Sequence, residues 1–149
     1  MKLILIVILL STSCSSISNY IAYHLGIRFP MNIYRINNLS DLKWKSRLLI
    51  ISSINLSSQL TDNNEQLIER NIAVITIKNN ISYLNNSPMS NTFLNSVNKK
   101  VDSLSINYKI ILIGLDGQIK KTYLEDIDIH QIFQDIDSMP MRINEINNK

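Results

Sequence analysis

The chain has 149 residues, which is enough for one domain of ordinary size and too few for two. Apolar residues make up 45% of the chain and charged residues 18%, a composition that supports a folded core and excludes a disordered or collagen-like protein. Cys14 is the single cysteine, so a disulfide framework within the chain and a zinc site built from cysteines are excluded. The net charge of +3 is too small to identify a partner.

Residues 1–18 are typical of a secretory signal peptide. Lys2 precedes an unbroken apolar run of eight residues, 3–10, and small polar residues follow it. Eight helical residues span about 12 Å, whereas the hydrocarbon core of a membrane is about 30 Å thick. We therefore expect an exported, periplasmic protein from which this segment is cleaved. The alternative is an uncleaved membrane anchor, because no charged residue lies between Lys2 and Arg28.

Cys14, with Ser13 and Ser15 on either side, resembles the lipidated cysteine of a bacterial lipoprotein signal. One position departs from that pattern, because leucine usually stands three residues before the cysteine and this chain has Ser11 there. Lipidation of Cys14 would tether the mature protein to a membrane, since two or three acyl chains anchor a protein stably. The alternative is a cysteine that is discarded with the signal peptide.

The rest of the chain predicts a tether or N-terminal extension at 19–43, followed by one domain at 44–146. Residues 48–51 and 72–77 are apolar, largely β-branched runs that are typical of buried strands. The segment 57–69 between them carries apolar residues at helical spacing. A strand, a helix and a second strand over this length predict a parallel, right-handed crossover.

A helix and a hairpin are predicted next. Polar residues 79–88 read as a loop, and apolar residues in 93–104 fall on one face of a helix. Strands are predicted at 109–114 and 118–123. The Asp-Gly pair at 116–117 favours a tight turn between them, because glycine accepts the positive φ that such turns require.

The last predicted element is a helix that begins after Asp128 and contains Ile129, Ile132, Phe133 and Ile136 at helical spacing. Pro140 is expected to end or kink it. The complete order is β-α-β-α-β-β-α, which is the core order of the thioredoxin fold. We therefore expect an α/β domain with a four-stranded mixed sheet covered by helices on both faces.

Three segments, 44–51, 112–120 and 136–142, resemble the family called domain of unknown function 4174, and the similarity extends over about residues 42–146. The resemblance implies a thioredoxin-like, distantly peroxiredoxin-like domain of exported bacterial proteins and of some animal extracellular matrix proteins. It implies no established activity and no agreed catalytic residues. The candidate residues of a family motif or partner surface are Trp44, Arg47, Gly114, Asp116, Gly117, Lys120, Asp137, Met139, Pro140, Met141 and Arg142.

Redox chemistry is not expected. An oxidoreductase of the thioredoxin fold needs a reactive thiolate after the first strand, and residues 52–58 contain serines but no cysteine. The proline that normally precedes the third strand is replaced by residues 106–108, Ile-Asn-Tyr. The sequence therefore predicts a non-redox binding or accessory module of the cell envelope. The alternatives are an enzyme that uses Asp116, Lys120 or Arg142, and an oxidoreductase relative that retains residual thiol or peroxide activity.

No metal or cofactor is expected either. His24 and His130 are the only histidines, and they lack the spacing of metal ligands. The acidic residues Glu125, Asp126 and Asp128 lack the alternating pattern of a calcium loop. They are better explained as favourable negative charge at a helix N-terminus.

The expected partner is an envelope protein or polymer. Residues 15–121 carry 12 Lys and Arg against 6 Asp and Glu, whereas residues 122–149 carry 2 against 6. The basic part could meet anionic lipid headgroups or cell-wall polymers, or be an ordinary solvated surface. No nucleic-acid partner is expected, because the protein is predicted to be exported and its basic residues form no recognition motif.

Two interpretations of the segment 137–142 stay open. Met139 and Met141, on either side of Pro140, could form an adaptable partner surface, because methionine is flexible and polarizable. Alternatively, the segment could break the last helix, with both methionines closing the sheet edge and Arg142 pairing with Asp137.

Overall fold

The structure is a computed structural model that describes residues 35–52, 56–104, 108–124 and 127–148. Several sequence predictions concern residues outside these ranges: the signal peptide, Cys14, the tether as far as residue 34, and residues 53–55, 106–107 and 125–126.

A six-stranded mixed sheet organises the described residues. In chain order its strands are β1 (Arg47–Ile51), β2 (Ile72–Lys78), β3 (Ile81–Leu84), β4 (Ser87–Pro88), β5 (Ile110–Ile113) and β6 (Ile119–Tyr123). Their spatial order is β4-β3-β2-β1-β5-β6. Strand β1 pairs parallel with β2 and antiparallel with β5, and the outer pairs are antiparallel. The predicted parallel pair is therefore present at the centre of a mixed α/β fold.

The prediction of a four-stranded sheet was wrong, because the segment 79–88 forms two more strands rather than a loop. Asn79 and Asn80 have φ of 50° and 60°, and Asn85 and Asn86 have φ of 47° and 66°. Two consecutive residues with positive φ make the tight turn that suits a two-residue hairpin, and asparagine tolerates this conformation. Two such turns fold β3 and β4 back against the edge formed by β2.

The helices flank the sheet. They are a 3-10 helix (Leu39–Leu42), α1 (Ser57–Asp62), α2 (Asn64–Glu69), α3 (Asn91–Asp102), α4 (Ile129–Asp137) and α5 (Pro140–Asn147). The single helix predicted over 57–69 is divided at Asn63 into α1 and α2. Asp128 caps α4 by accepting a hydrogen bond from the backbone of His130. Pro140 follows the end of α4 and begins α5, where its missing N–H removes no helical hydrogen bond.

The core lies on both faces of β1, whose five residues are all buried. Side chains alternate along a strand, so Leu49 and Ile51 face α4 and pack in one cluster with Ile132, Phe133 and Ile136. On the other face α3 packs against β3 and the 3-10 helix. Leu42 is buried as well and Ile36 is 5% exposed, although both lie in the segment that the sequence analysis assigns to the extension.

Candidate functional site

The candidate site lies at the end of the sheet where β1 begins. Because β5 runs antiparallel to β1, Leu48 pairs with Ile113 and the start of β1 lies beside the end of β5. The turn between β5 and β6 is therefore at this end too. The junction between α4 and α5 meets the same place, because Met139 and Met141 line a pocket with Arg47.

That pocket has a volume of about 100 Å³. It is formed by Arg47 at the start of β1, by the turn after β5 and by the first residues of α5. Its lining residues are Arg47, Gly114, Leu115, Asp116, Lys120, Met139, Pro140 and Met141. All of them except Leu115 are candidate residues from the three sequence segments, so the fold brings together side chains that lie far apart in the chain.

The turn between β5 and β6 is built around Asp116. Its carboxylate accepts a hydrogen bond from the backbone N–H of Gln118 at 3.1 Å and pairs with Lys120 Nζ at 2.6 Å. The hydrogen bond from Lys120 is the main reason why the pKa of Asp116 lies below its usual value. Gly117 completes the turn with a φ of 73°.

Gly114 lets the Lys120 side chain cross this turn. A Cβ at position 114 would lie 2.5 Å from Cε of Lys120 and 2.9 Å from Oδ1 of Asp116. Any larger residue would therefore require the flexible end of Lys120 to shift. Glycine here accommodates a close approach between side chain and backbone rather than an unusual φ.

Trp44 lies beside the pocket rather than in its lining. Its backbone N–H donates to the carbonyl of Leu115 at 2.7 Å, and its side chain is 62% exposed. Its φ is 63°, in the left-handed region, which costs a residue other than glycine about 1–2 kcal/mol. Strained residues of this kind concentrate at functional sites.

The two remaining candidates, Asp137 and Arg142, belong to a cluster of ion pairs next to the pocket. We call it the arginine cluster, and its members are Arg47, Arg70, Arg142, Glu69, Asp137 and Glu145.

Arg47 and Arg142 are the buried members of the arginine cluster, at 1% and 2% exposure. Arg47 donates from Nη2 and Nη1 to the two carboxylate oxygens of Glu145, at 2.8 and 3.2 Å. Arg142 donates to Oδ1 of Asp137 at 3.2 Å and to Oε1 of Glu69 at 3.0 Å. Buried charge of this kind needs such partners, since an unpaired ion in the interior is costly.

Asp137 bridges two arginines, because its other carboxylate oxygen accepts from Nη2 of Arg70 at 2.6 Å. Burial opposes ionisation of this carboxyl, but the hydrogen bonds from Arg70 and Arg142 outweigh it and hold the pKa of Asp137 below its usual value. The same balance, with Arg47 as the chief partner, lowers the pKa of Glu145. The arginine cluster therefore ties α5 to β1 and to the end of α2 at neutral pH.

The methionines have different environments. Met139 is half-buried and packs against the core cluster beneath α4, whereas Met141 is 42% exposed. Together with the Arg142 to Asp137 ion pair, this gives Asp137, Met139 and Arg142 structural contacts. Met141 and Pro140 are the exposed candidate residues of the segment.

The opposite end of β1 holds the position where an oxidoreductase of the expected fold would carry its cysteine. Ser52 occupies the first residue after the strand, and its hydroxyl donates to the carbonyl of Tyr108 at 2.9 Å. Residues 53–55 and 106–107, which complete that region, lie outside the described residues. The pocket therefore lies at the other end of β1 from Ser52.

The model of a family described as a domain of unknown function (DUF4174) matches residues 38–145. The chain belongs to this family. No curated protein and no solved structure matches the chain. The DUF4174 match extends from the residue before the 3-10 helix to Glu145, so it contains the pocket and the whole arginine cluster.

Several residues of this DUF4174 site were missed by the sequence analysis, namely Leu115, Arg70, Glu69 and Glu145. One feature of the sequence could have identified Glu145. It follows Arg142 by three residues, so the two side chains share one face of a helix and can form an ion pair. No such feature identifies Arg70 and Glu69, since their partners on α4 and α5 are distant in sequence and meet them only through the tertiary fold.

Two properties of the described part of the DUF4174 domain bear on other classes of function. Within it, no group of three or more His, Cys, Asp or Glu side chains is placed to hold a metal ion. His130 is exposed, and its ring packs edge-on against Phe133 with the centroids 5.9 Å apart. None of the helices in the described ranges combines the length and the hydropathy needed to cross a membrane.

Proposed function

We propose that this protein is an exported, non-redox domain of the thioredoxin-like fold that acts as a binding or accessory module in the bacterial cell envelope. The observation that carries the proposal is the convergence of candidate residues from all three sequence segments on one pocket at the start of β1. That pocket is at the far end of the strand from the position of a redox cysteine.

The strand arrangement supports the fold assignment. The neighbouring strands β2-β1-β5-β6, with β1 and β2 parallel and the other pairs antiparallel, have the order and directions expected for a thioredoxin-like core. The hairpin formed by β3 and β4 is then an addition at the edge of β2.

The chemistry of the pocket supports binding rather than catalysis. Asp116 and Lys120 form an ion pair with each other. The lowered pKa of Asp116 makes this carboxylate a poor general base near neutral pH. Arg47 and Arg142 are held by carboxylates of the arginine cluster. Met141, by contrast, offers an exposed and flexible apolar side chain that can adapt to a partner. The enzyme alternative therefore has less support.

Location in the envelope is supported by the amino-acid sequence of residues 1–18. An n-region with Lys2, a short apolar run and Cys14 among serines is the order of an exported lipoprotein. Mass spectrometry of the mature N-terminus would test this, because lipidation at Cys14 and cleavage after it give different masses.

A photocrosslinking amino acid at position 141 tests the binding proposal in intact cells. Position 124 is the matched control, because Leu124 is also exposed, at 55%, and follows the opposite end of β6 from the pocket. We expect position 141 to capture crosslinked partners that position 124 does not capture.

Two results would contradict the proposal. One is identical crosslinking from both positions, which would mean that the pocket face has no special partner. The other is reduction of a disulfide target or of a hydroperoxide by the purified protein, which would show the redox chemistry that the proposal excludes.

A further inference from the structure

We propose that the pocket and the exposed ring of Trp44 form one docking surface for an acidic peptide segment that presents a bulky apolar side chain. This inference rests on the proposed binding function and adds the chemistry of the partner. We call the surface the Trp44 surface, and it consists of the pocket lining together with Lys43, Trp44 and Lys45.

The first observation is the backbone of Trp44. The turn that follows the 3-10 helix is closed by hydrogen bonds from the N–H groups of Lys45 and Ser46 to the carbonyl of Leu42, at 3.0 and 3.1 Å. Within it Trp44 takes a φ of 63°, which glycine would adopt without strain. A tryptophan that is 62% exposed adds little to the core. The fold therefore holds a large aromatic ring in solvent, beside a pocket, in a conformation that its side chain disfavours.

The second observation is the position of Lys43. Its side chain lies over the β5–β6 turn, since a Cβ at position 117 would be 3.6 Å from its Cγ and Cδ. Its ammonium lies 5.5 Å from the centroid of the Trp44 ring. A cation is thus placed next to the aromatic surface.

The third observation is the balance of charge around the pocket. Lys120 is paired with Asp116, and Arg47 with Glu145. The positive charge of Lys45 is partly balanced by the carboxylate of Asp41. The backbone N–H groups of Asn37 and Asn38 are the main cause of the lowered pKa of Asp41, and this lysine contributes to a smaller extent.

Lys43 forms no ion pair with another residue in the described ranges. A peptide with a carboxylate next to its apolar side chain would supply an ion-pair partner for Lys43.

The shape of the pocket favours a peptide over a lipid bilayer. A cavity of about 150 Å³ in a protein holds one benzene ring, so a pocket of about 100 Å³ suits a single aliphatic side chain. Exposed aromatic residues beside a pocket are common anchors of protein interfaces. A bilayer surface would contact Trp44 but leave the concave part unfilled.

The test begins with selection of a random heptapeptide library displayed on phage against the full-length chain in a mild detergent. We expect enriched peptides that place leucine, isoleucine or methionine next to aspartate or glutamate. An enriched peptide is then synthesised and titrated against the protein. Trp44 is the only tryptophan, so its fluorescence reports directly on this surface.

Variants locate the binding. We expect Trp44→Gly, titrated by calorimetry because it lacks the single tryptophan, to weaken peptide binding by about tenfold or more. Its melting temperature should be unchanged or higher, because glycine suits the positive φ. Lys43→Gln keeps a similar chain length without the charge and is expected to weaken binding about threefold to tenfold. Leu124→Ala and Lys78→Gln are matched controls on exposed residues away from the pocket, and they should bind like the parent protein.

The inference is overturned if the selection enriches basic or purely apolar peptides, or none. It is also overturned if Lys43→Gln and Trp44→Gly bind like the parent, or if vesicles of anionic lipid shift the Trp44 fluorescence and the peptides do not. Crosslinking from position 141 that persists in Trp44→Gly would leave the proposed binding function standing and refute only the Trp44 surface. Loss of all specific crosslinking from position 141 in the parent protein would refute both.

Discussion

Arg47 on the first strand donates hydrogen bonds to both carboxylate oxygens of Glu145 on the last helix, a residue 98 positions later in the chain. The arginine is 1% exposed, so this carboxylate is the main compensation for a buried positive charge. The pair links the start of β1 to α5. It therefore fixes the position of α5 against the sheet, and with it the pocket residues that α5 contributes.

Glu145→Gln is therefore expected to lower the free energy of unfolding by about 2 kcal/mol. The full loss on breaking a buried pair is about 3–5 kcal/mol, and the 34% exposure of Glu145 reduces it. Urea denaturation measures the change. Glu65→Gln, at an exposed position on α2, is the control and should change stability by less than about 0.5 kcal/mol. Equal stability of the two variants would disprove the importance of the pair.

Acid is expected to destabilise the protein through the same cluster. Asp137 and Glu145 have pKa values below their usual ones in the folded state, so they contribute stability that is present above the unfolded pKa values of about 4. This stability is lost as the pH falls through the folded values. The melting temperature should therefore drop between about pH 5 and pH 3, and less steeply in Asp137→Asn, which is already destabilised at pH 7. A melting temperature that is constant over this range would contradict the prediction.

The methionines should respond differently to truncation. Met139→Ala removes a half-buried side chain from the core cluster and is expected to cost about 1–2 kcal/mol, because truncating a fully buried methionine to alanine costs about 2–5 kcal/mol. Met141→Ala removes an exposed side chain and should change stability by less than about 0.5 kcal/mol. Thermal unfolding distinguishes them. If Met141→Ala were the more destabilising change, the assignment of that side chain to a binding surface would be wrong.

The hairpin turns offer a test of backbone conformation. Asn80→Gly is expected to raise stability by about 0.5 kcal/mol, because glycine is favoured over asparagine at a φ of 60°. The same change at the exposed helical position Asn95 should lower stability by a few tenths of a kcal/mol. Both variants add the same glycine entropy to the unfolded chain, so opposite signs in chemical denaturation isolate the effect of φ. Destabilisation at both positions would argue against the turn.

Ser82 on β3 is fully buried, and its hydroxyl is the one buried side-chain polar atom in the described ranges that has no hydrogen-bond partner. Ser82→Ala is expected to leave stability unchanged or to raise it by about 1 kcal/mol, since the cost of burying that hydroxyl disappears. Ser46→Ala is the comparison, because Ser46 is equally buried but donates to Oδ1 of Asn71 at 3.2 Å. That change should cost about 1 kcal/mol. Calorimetry showing a larger loss for Ser82→Ala would contradict this.

Much of the fold was accessible from local patterns. Local sequence patterns predict three buried elements. They are the apolar run of β1, the β-branched run of β2 and the helical spacing of apolar residues in α4. The parallel pairing of β1 and β2 followed from the length of the connection between them. The hairpin predicted around Asp116 and Gly117 is present, but its connection is longer than the predicted two-residue turn, because residues 114–118 join β5 to β6 and only Gly117 of the pair has a positive φ.

The hairpin of β3 and β4 was missed because its turns are made by paired asparagines, which in an asparagine-rich chain look like ordinary polar surface. The pocket was missed as a unit for a different reason. The sequence segments named most of its lining residues, but their proximity depends on β5 running antiparallel to β1 and on α5 returning to the same end. The arginine cluster likewise arises from tertiary contacts. One hint was Arg47 itself, a charged residue at the start of an otherwise apolar strand.

The short outer strand β4 has a consequence for behaviour at high concentration. It is two residues long and ends in Pro88, which has no N–H to offer to a neighbouring chain. The other border of the sheet, β6, carries the exposed lysines Lys120 and Lys121, each in an ion pair with a carboxylate, and charged side chains of this kind discourage the addition of a strand at an edge. Both borders thus resist strand-to-strand aggregation.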